Sequence, residues 1–166
     1  MTSGTIADTI ERYKAQADEL PAWSAGMSAA QLTAPPSVGA GEWTMHQMIV
    51  HVVESDLIAS HRMKRIAAEE SPLLISYDET AFVRALDYHA LELAAACELF
   101  RMNRLVTAEV LKRLPEEAFA RHGIHNQQGK VTLLHVVRSY IAHVDHHRSF
   151  ADKKRAAMGL PPVRRP

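Results

Sequence analysis

Tyr140-Ile141-Ala142-His143-Val144-Asp145-His146-His147-Arg148-Ser149-Phe150 decides how this chain is read. His143 and His147 are four apart, which on an α-helix puts both rings on one face, one turn above the other. The same face reads Val136, Tyr140, His143, His147 and Phe150, in steps of four, three, four and three. The pair therefore continues an apolar stripe that is expected to face a core. An inward imidazole pair requires a partner, because burying a polar group without one is costly. Two imidazoles one turn apart make one edge of a metal site, and a further ligand has to converge from another element. The same spacing also occurs in helices whose histidines only pack or only face water.

Outward from this stretch the chain reads as helices. The fourth long pattern runs from about Thr132 to Met158, where Gly159 and Pro161-Pro162 stop it. The first runs from about Thr5 to Met27 and is expected to break at Pro21. Ser28 with Gln31, and Thr44 with Gln47, have capping-box spacing. Thr44 opens the second long helix, which should end near Ala68, before Ser71-Pro72. Its inward candidates are Met48, His51, Ser55, Ile58 and Arg62, with Leu57 and Ile66 alongside. Asp78 can cap a short helix to about Leu86. The third long helix is expected from about His89 to Leu114, closed by Pro115 and a short turn over 116–120. Thr33 to Gly41 and Arg121 to Lys130 read as loops. Four long helical patterns without convincing alternating strands predict an all-α four-helix bundle, as a single domain over 1–166.

Composition narrows the function. The chain has 166 residues, enough for one core, and 19 basic residues balance 19 acidic ones. No basic stripe interleaved with aromatics is present, so nucleic acid is not an expected partner. The cluster Lys153-Lys154-Arg155, followed by Arg164-Arg165, is expected to solvate a helix end and a tail. Cys97 is the only cysteine, which excludes a disulfide within the chain. It follows three alanines in a helical pattern and is expected to be a buried small hydrophobe. The N-terminus lacks a basic region followed by an apolar run, and no segment has the length of a membrane span. A soluble, cytoplasmic protein is expected.

His51 is the best candidate for the third ligand. It lies on the inward list of the second helix, about two turns after the Thr44 cap. One histidine from one helix and a pair from another give three nitrogen ligands. That is the number catalytic zinc sites use while leaving a position for water. Imidazole equally suits nickel, copper and iron.

Trp43-Thr44 before a helix carrying His51-Val52-Val53-Glu54, then Gly129-x-Val131-Thr132 leading into His143-x-x-x-His147, resembles the DinB/YfiT-like superfamily. The resemblance covers essentially the whole chain, including Arg62 and the region from Arg101 to Leu105. It implies a bundle with up-down-down-up connectivity, often a homodimer, and a metal triad falling on His51, His143 and His147. It also implies zinc or nickel, and a thiol-dependent transferase or isomerase using a low-molecular-weight thiol such as mycothiol or bacillithiol. Relatives often have an acidic residue or leucine where His146 stands, and a glutamine soon after the last ligand. Here Arg148, Ser149 and Phe150 follow.

Glu54 and Tyr140 are the pocket candidates. Glu54 could orient a ligand or act as a base, or simply be solvated. Tyr140 can pack its ring while its hydroxyl reaches the site. Asp145 and His146 should point away from the ion, with Asp145 at the surface. His61 and Arg62 could line a pocket mouth, with a solvated helix face as the default, and His135 is expected in the core. His89, His122 and His125 have no readable partner spacing. The expected function is a divalent-metal-dependent enzyme acting on a small molecule, by S-transfer, isomerisation or hydrolysis. The alternatives are a non-enzymatic metal- or ligand-binding bundle with a closed site, and a bundle whose histidines are structural.

Overall fold

In a computed structural model describing residues 4–164, the long helices stand where the caps and prolines place them. Met1–Ser3 and Arg165–Pro166 lie outside the described residues. Helix α1 (Ile6–Ala15) is opened by a Thr5–Asp8 capping box. A 3-10 turn over Gln16–Asp18 then bends the chain into α2 (Glu19–Ser24). Pro21 sits in the first turn of α2 and cannot donate to the carbonyl four residues back. The break therefore falls upstream of the proline, not at it. Ser28 and Gln31 box-cap the short α3 (Ala29–Thr33).

Helix α4 (Met45–Ala68) starts at the Thr44–Gln47 box and ends as expected. Asp78 caps α5 (Glu79–Ala85), accepting from the Ala81 N–H at 2.9 Å. Helix α6 (Leu93–Lys112) begins at Glu92, later than its periodicity suggests, because Tyr88–Ala90 forms a separate 3-10 turn. Helix α7 (Leu133–Ala157) is capped by Thr132.

The segment read as a loop between Arg121 and Lys130 is instead strand. Strands β2 (His122–His125) and β3 (Gly129–Thr132) form a hairpin, and β1 (Leu73–Leu74) pairs with β2 in parallel. The strands are two to four residues long, too short for a period of two to register in the sequence. Gly129, at φ +72°, supplies the left-handed turn residue that closes the hairpin.

Side-chain pairs fix the connectivity. Arg138 donates to the Gly4 carbonyl and Arg12 pairs with Asp145, so α1 and α7 run parallel. Glu11 meets Lys112 while Asp18 meets Arg101, so α6 runs against α1. Arg62 meets Tyr140 while Trp43 meets Lys154, so α4 runs against α7. The result is up-down-down-up, with α1 and α4 on opposite corners. Because α4 and α6 are parallel neighbours, the chain between them must return along the whole bundle. That crossover, residues 69–92, carries β1 and α5.

Apart from a small cluster of Val50, Val83 and Tyr88, the apolar core is in two parts. One gathers Ile10, Tyr13, Met63, Ile66, Leu111 and Val137, and the other Leu20, Trp23, Met48, Val52, Phe100 and Val144. Cys97 is buried in the second, where desolvation raises its thiol pKa to about 11, so it behaves as the expected hydrophobe. Between the two parts lies a polar layer. Each helix contributes to it at the position that separates its apolar groups: Gln16, Asp56, Arg104 and His143.

Two members of the basic cluster depart from expectation, while Lys153 and Arg164 are exposed as expected. Lys154 and Arg155 are 3% and 5% exposed. Lys154 Nζ donates to the carbonyls of Ala40 and Trp43, both at 2.5 Å. Arg155 donates to the carbonyls of Trp23, Ala25 and Pro161. Long cationic side chains here tie down loop carbonyls that no helix satisfies, so they are not a solvated end.

Candidate metal centre

Two antiparallel helices build the cluster. His51 stands on α4 and is 1% exposed; His143 and His147 stand one turn apart on α7. One ring nitrogen from each lies within 4.8 Å of the other two. His143 Nε2 and His147 Nε2 are 3.1 Å apart, so the two lone pairs share one proton or face one cation. His51 Nε2 is buried with no hydrogen-bond partner, and so is His147 Nδ1. A tetrahedral ion with bonds of about 2.0–2.1 Å spaces its nitrogen ligands roughly 3.4 Å apart, so small ring movements would bring these atoms into range.

The rings are held neutral. Burial comes first in lowering all three pKa values to about 3; the neighbouring imidazoles add to it, with Arg104 acting on His143 and Lys154 on His147. Neutral imidazole is the form that offers a lone pair to a metal. Trp43 closes the cluster from the side. Its ring lies 4.5 Å from that of His51 and is stacked 6.4 Å from that of His147.

The histidines separate two cavities. On the His147 side, a largely apolar hollow of about 180 Å³ is lined by Gly41, Trp43, Met48 and Phe150. Gly41, at φ +83°, brings the loop against the Phe150 ring, which a Cβ at that position would touch. On the His143 side, a polar cavity of about 200 Å³ is lined by Ser55, Arg62, Glu79, His125 and Tyr140, among others.

The acidic side chain that reaches the cluster is Glu79, not Glu54. Glu79 Oε2 is 3.8 Å from His51 Nε2, and burial raises its pKa against the opposing pull of Arg62. Glu54 is half-buried on another face of α4, where its charge acts on Tyr88. Tyr140 lines the polar cavity as expected, and its hydroxyl accepts from Arg62 Nη1 at 3.0 Å.

Other expectations change. Arg62 takes the pocket-lining alternative and not the solvated default: it is half-buried in the cavity wall, with Nη2 donating to the Ile75 carbonyl at 2.6 Å. His135 is exposed at the cavity rim, 3.3 Å from Ser139 Oγ, and not a core residue. Asp145 does point away from the cluster, but it is half-buried among Arg12, Gln16 and Arg148. His146 is exposed, with its ring edge against Phe150. His125 is 8% exposed and takes part in the polar cavity through a hairpin that the sequence did not reveal. Glu79 gave no signal either: an acid in the first turn of a helix is ordinary dipole complementarity.

A helical bundle with three converging imidazoles, two buried and one half-buried, is the class these features define. Residues 7–151 match the DinB superfamily, and the chain belongs to that family. A Bacillus pumilus relative named "Putative metal-dependent hydrolase" is 32% identical over 146 residues, covering 86% of this chain and 76% of its own length. An Oceanobacillus iheyensis relative of the same description, OB0782, is 27% identical over 111 residues, 67% of this chain; the match spans 64% of that relative's length. Among solved structures, Bacillus subtilis YfiT, described as "a probable metal-dependent hydrolase with an unusual four-helix bundle topology", aligns with a TM-score of 0.87. It covers 96% of this chain and 91% of its own, at 22% identity. At that identity the likeness establishes the four-helix-bundle fold. No helix among the described residues is long and apolar enough to cross a membrane.

Proposed function

We propose that the protein is a metal-dependent hydrolase of small molecules, with one divalent ion, zinc or nickel, held by His51, His143 and His147. The observation that carries this reading is the convergence of three neutral imidazoles, two buried and one half-buried, with the Nε2 of His51 left without a hydrogen-bond partner. Such an orphan is costly unless something binds it. When bound, the ion supplies positive charge that polarises a carbonyl and acidifies a water.

The chain's own residues supply the rest. Glu79 Oε2 stands beside the cluster with a raised pKa, suited to take a proton from an attacking water. Arg62 holds the Tyr140 hydroxyl at the cavity wall. Trp43 covers the imidazoles and limits water on the far side. A low-molecular-weight thiol in place of water would make the same site a transferase.

The test measures metal content and turnover together. Untagged wild type should hold near-stoichiometric zinc or nickel, and His147→Ala should not. Loaded wild type should cleave simple esters or amides, assayed with and without added thiol. Glu79→Gln should keep the metal and lose about a hundredfold in turnover. Wild type that takes up no added metal would sink the reading. Metal bound without any reaction would favour a storage or sensing bundle.

A further inference from the structure

The polar cavity contains more than a metal site needs. Its wall brings together three hydrogen-bond donors from three separate elements. Arg62, on α4, is permanently cationic. The Tyr140 hydroxyl, on α7, accepts from Arg62, and among the described residues its own proton has no acceptor. His125, on β2, accepts the N–H groups of Gln127 and Gln128 at Nδ1, at 3.2 and 3.3 Å. That fixes the neutral ring as the Nε2–H tautomer, and Nε2 has no partner among the described residues. Among the residues lining the cavity Glu79 is the acid that opposes these donors, and it lies towards His51; the buried Asp56 also acts by charge on Tyr140. Leu74 and Val136 are among the apolar residues of the lining.

We propose that this cavity is the recognition subsite for a carboxylate on the substrate, bound by Arg62, Tyr140 and His125 while the reacting bond sits at the histidines. The inference rests on the metal-site reading for where the reaction occurs, but not for the binding itself. Three donors suit an anionic oxygen group, and charge-assisted bonds to guanidinium are the strong ones. One guanidinium opposed by Glu79 favours a monoanionic group over a phosphate dianion. The cavity, about 200 Å³, has room for a small acid only. Tyr140 and His143 lie 5.8 Å apart by ring centroid, so the carboxylate and the reacting bond are separated by only a few bonds. The substrate class is therefore a compact acid bearing a hydrolysable group, such as an acyl or amide derivative of a small carboxylic acid.

The experiment titrates metal-free and zinc-loaded protein, labelled with ¹⁵N-histidine, with succinate, succinamide and inorganic phosphate. Side-chain nitrogen shifts of His125 report the subsite, and zinc stoichiometry is measured separately. Succinate should shift His125 Nε2 in both forms of the protein, while succinamide should not. Arg62→Met should weaken succinate binding about tenfold or more without changing zinc content. His125→Gln, which keeps an N–H donor, should retain most of the affinity, whereas His125→Leu should lose it; this pair decides the matter if Arg62→Met fails to fold. A His125 resonance unmoved by succinate, equal succinate affinity in Arg62→Met, or tighter binding of phosphate would overturn the proposal even with zinc bound. Zinc failing to bind while succinate still moves His125 would overturn the metal reading and leave the subsite standing.

Discussion

The polar layer at mid-height of the bundle has two halves, and they are finished differently. The Arg104 guanidinium is fully paired. Its side chain is 0% exposed and that of Asp56 2%. The five guanidinium N–H groups meet Asp56, Gln16 and the carbonyls of Tyr13 and Tyr140, all within 3.1 Å. Asn103 takes the other Asp56 oxygen at 2.8 Å, and the guanidinium lies over the rings of Tyr13 and Phe100. Around His51 the pairing stops, with His51 Nε2 and His147 Nδ1 left over. Burial alone does not mark a functional site in this protein. What distinguishes the two halves is whether the hydrogen-bonding capacity is used up.

Breaking the closed half should have the largest effect. Asp56→Ala strands a buried guanidinium and should cost roughly 3–5 kcal/mol, read by urea denaturation. Replacing Asp56 and Arg104 together with Leu and Met should restore part of that loss, because no unpaired charge remains. A single variant as stable as wild type would erase the contrast.

The open half should respond to a ligand instead. Zinc at about a hundred times its dissociation constant should stabilise the wild type by about 2.7 kcal/mol, seen as a rise in Tm that chelator reverses. His147→Leu should abolish the rise, yet leave metal-free stability unchanged or higher, since an orphaned polar atom is removed.

The pH dependence of the metal-free protein sharpens the same point. The folded-state pKa of each clustered histidine is depressed to about 3, against 6.5 for the free side chain. Between those values the unfolded chain binds more protons, so stability falls as pH drops below about 6.5. Each histidine that stays neutral contributes about 1 kcal/mol of that loss between pH 6.5 and 5.5, approaching about 1.4 kcal/mol per pH unit below that, measurable by denaturation. A flat profile would mean that the rings are solvated. The smallest effect belongs to the rim: Arg12→Ala breaks an exposed pair with Asp145 and should cost about 0.2–1 kcal/mol.

Much of this was legible in the chain. Caps and stop residues marked the ends of α4 and α7 because those signals are local, whereas α1 ends at Ala15, upstream of Pro21. His51, His143 and His147 could be found because helical spacing translates directly into a shared face. The participants that escaped are those whose roles exist only after distant segments meet. Glu79 and His125 arrive from the crossover and the hairpin, and no period links them to α4 or α7. Lys154 read as a surface cation because its two carbonyl partners lie more than a hundred positions earlier. Arg104 looked like any helical arginine until four elements closed round it.

The return crossover between α4 and α6 has a consequence for how such a protein can change. The three histidines belong to the long helices, whereas Glu79, the Ile75 carbonyl and Tyr77, which bonds Ser55, belong to the connecting segment. The bundle's connectivity demands a connection of that length but says little about its sequence. Mutation or grafting in residues 69–92 can therefore retune what the cavity accepts while the scaffold and its imidazoles are inherited intact. Natural variation and laboratory selection for new substrates should both concentrate there.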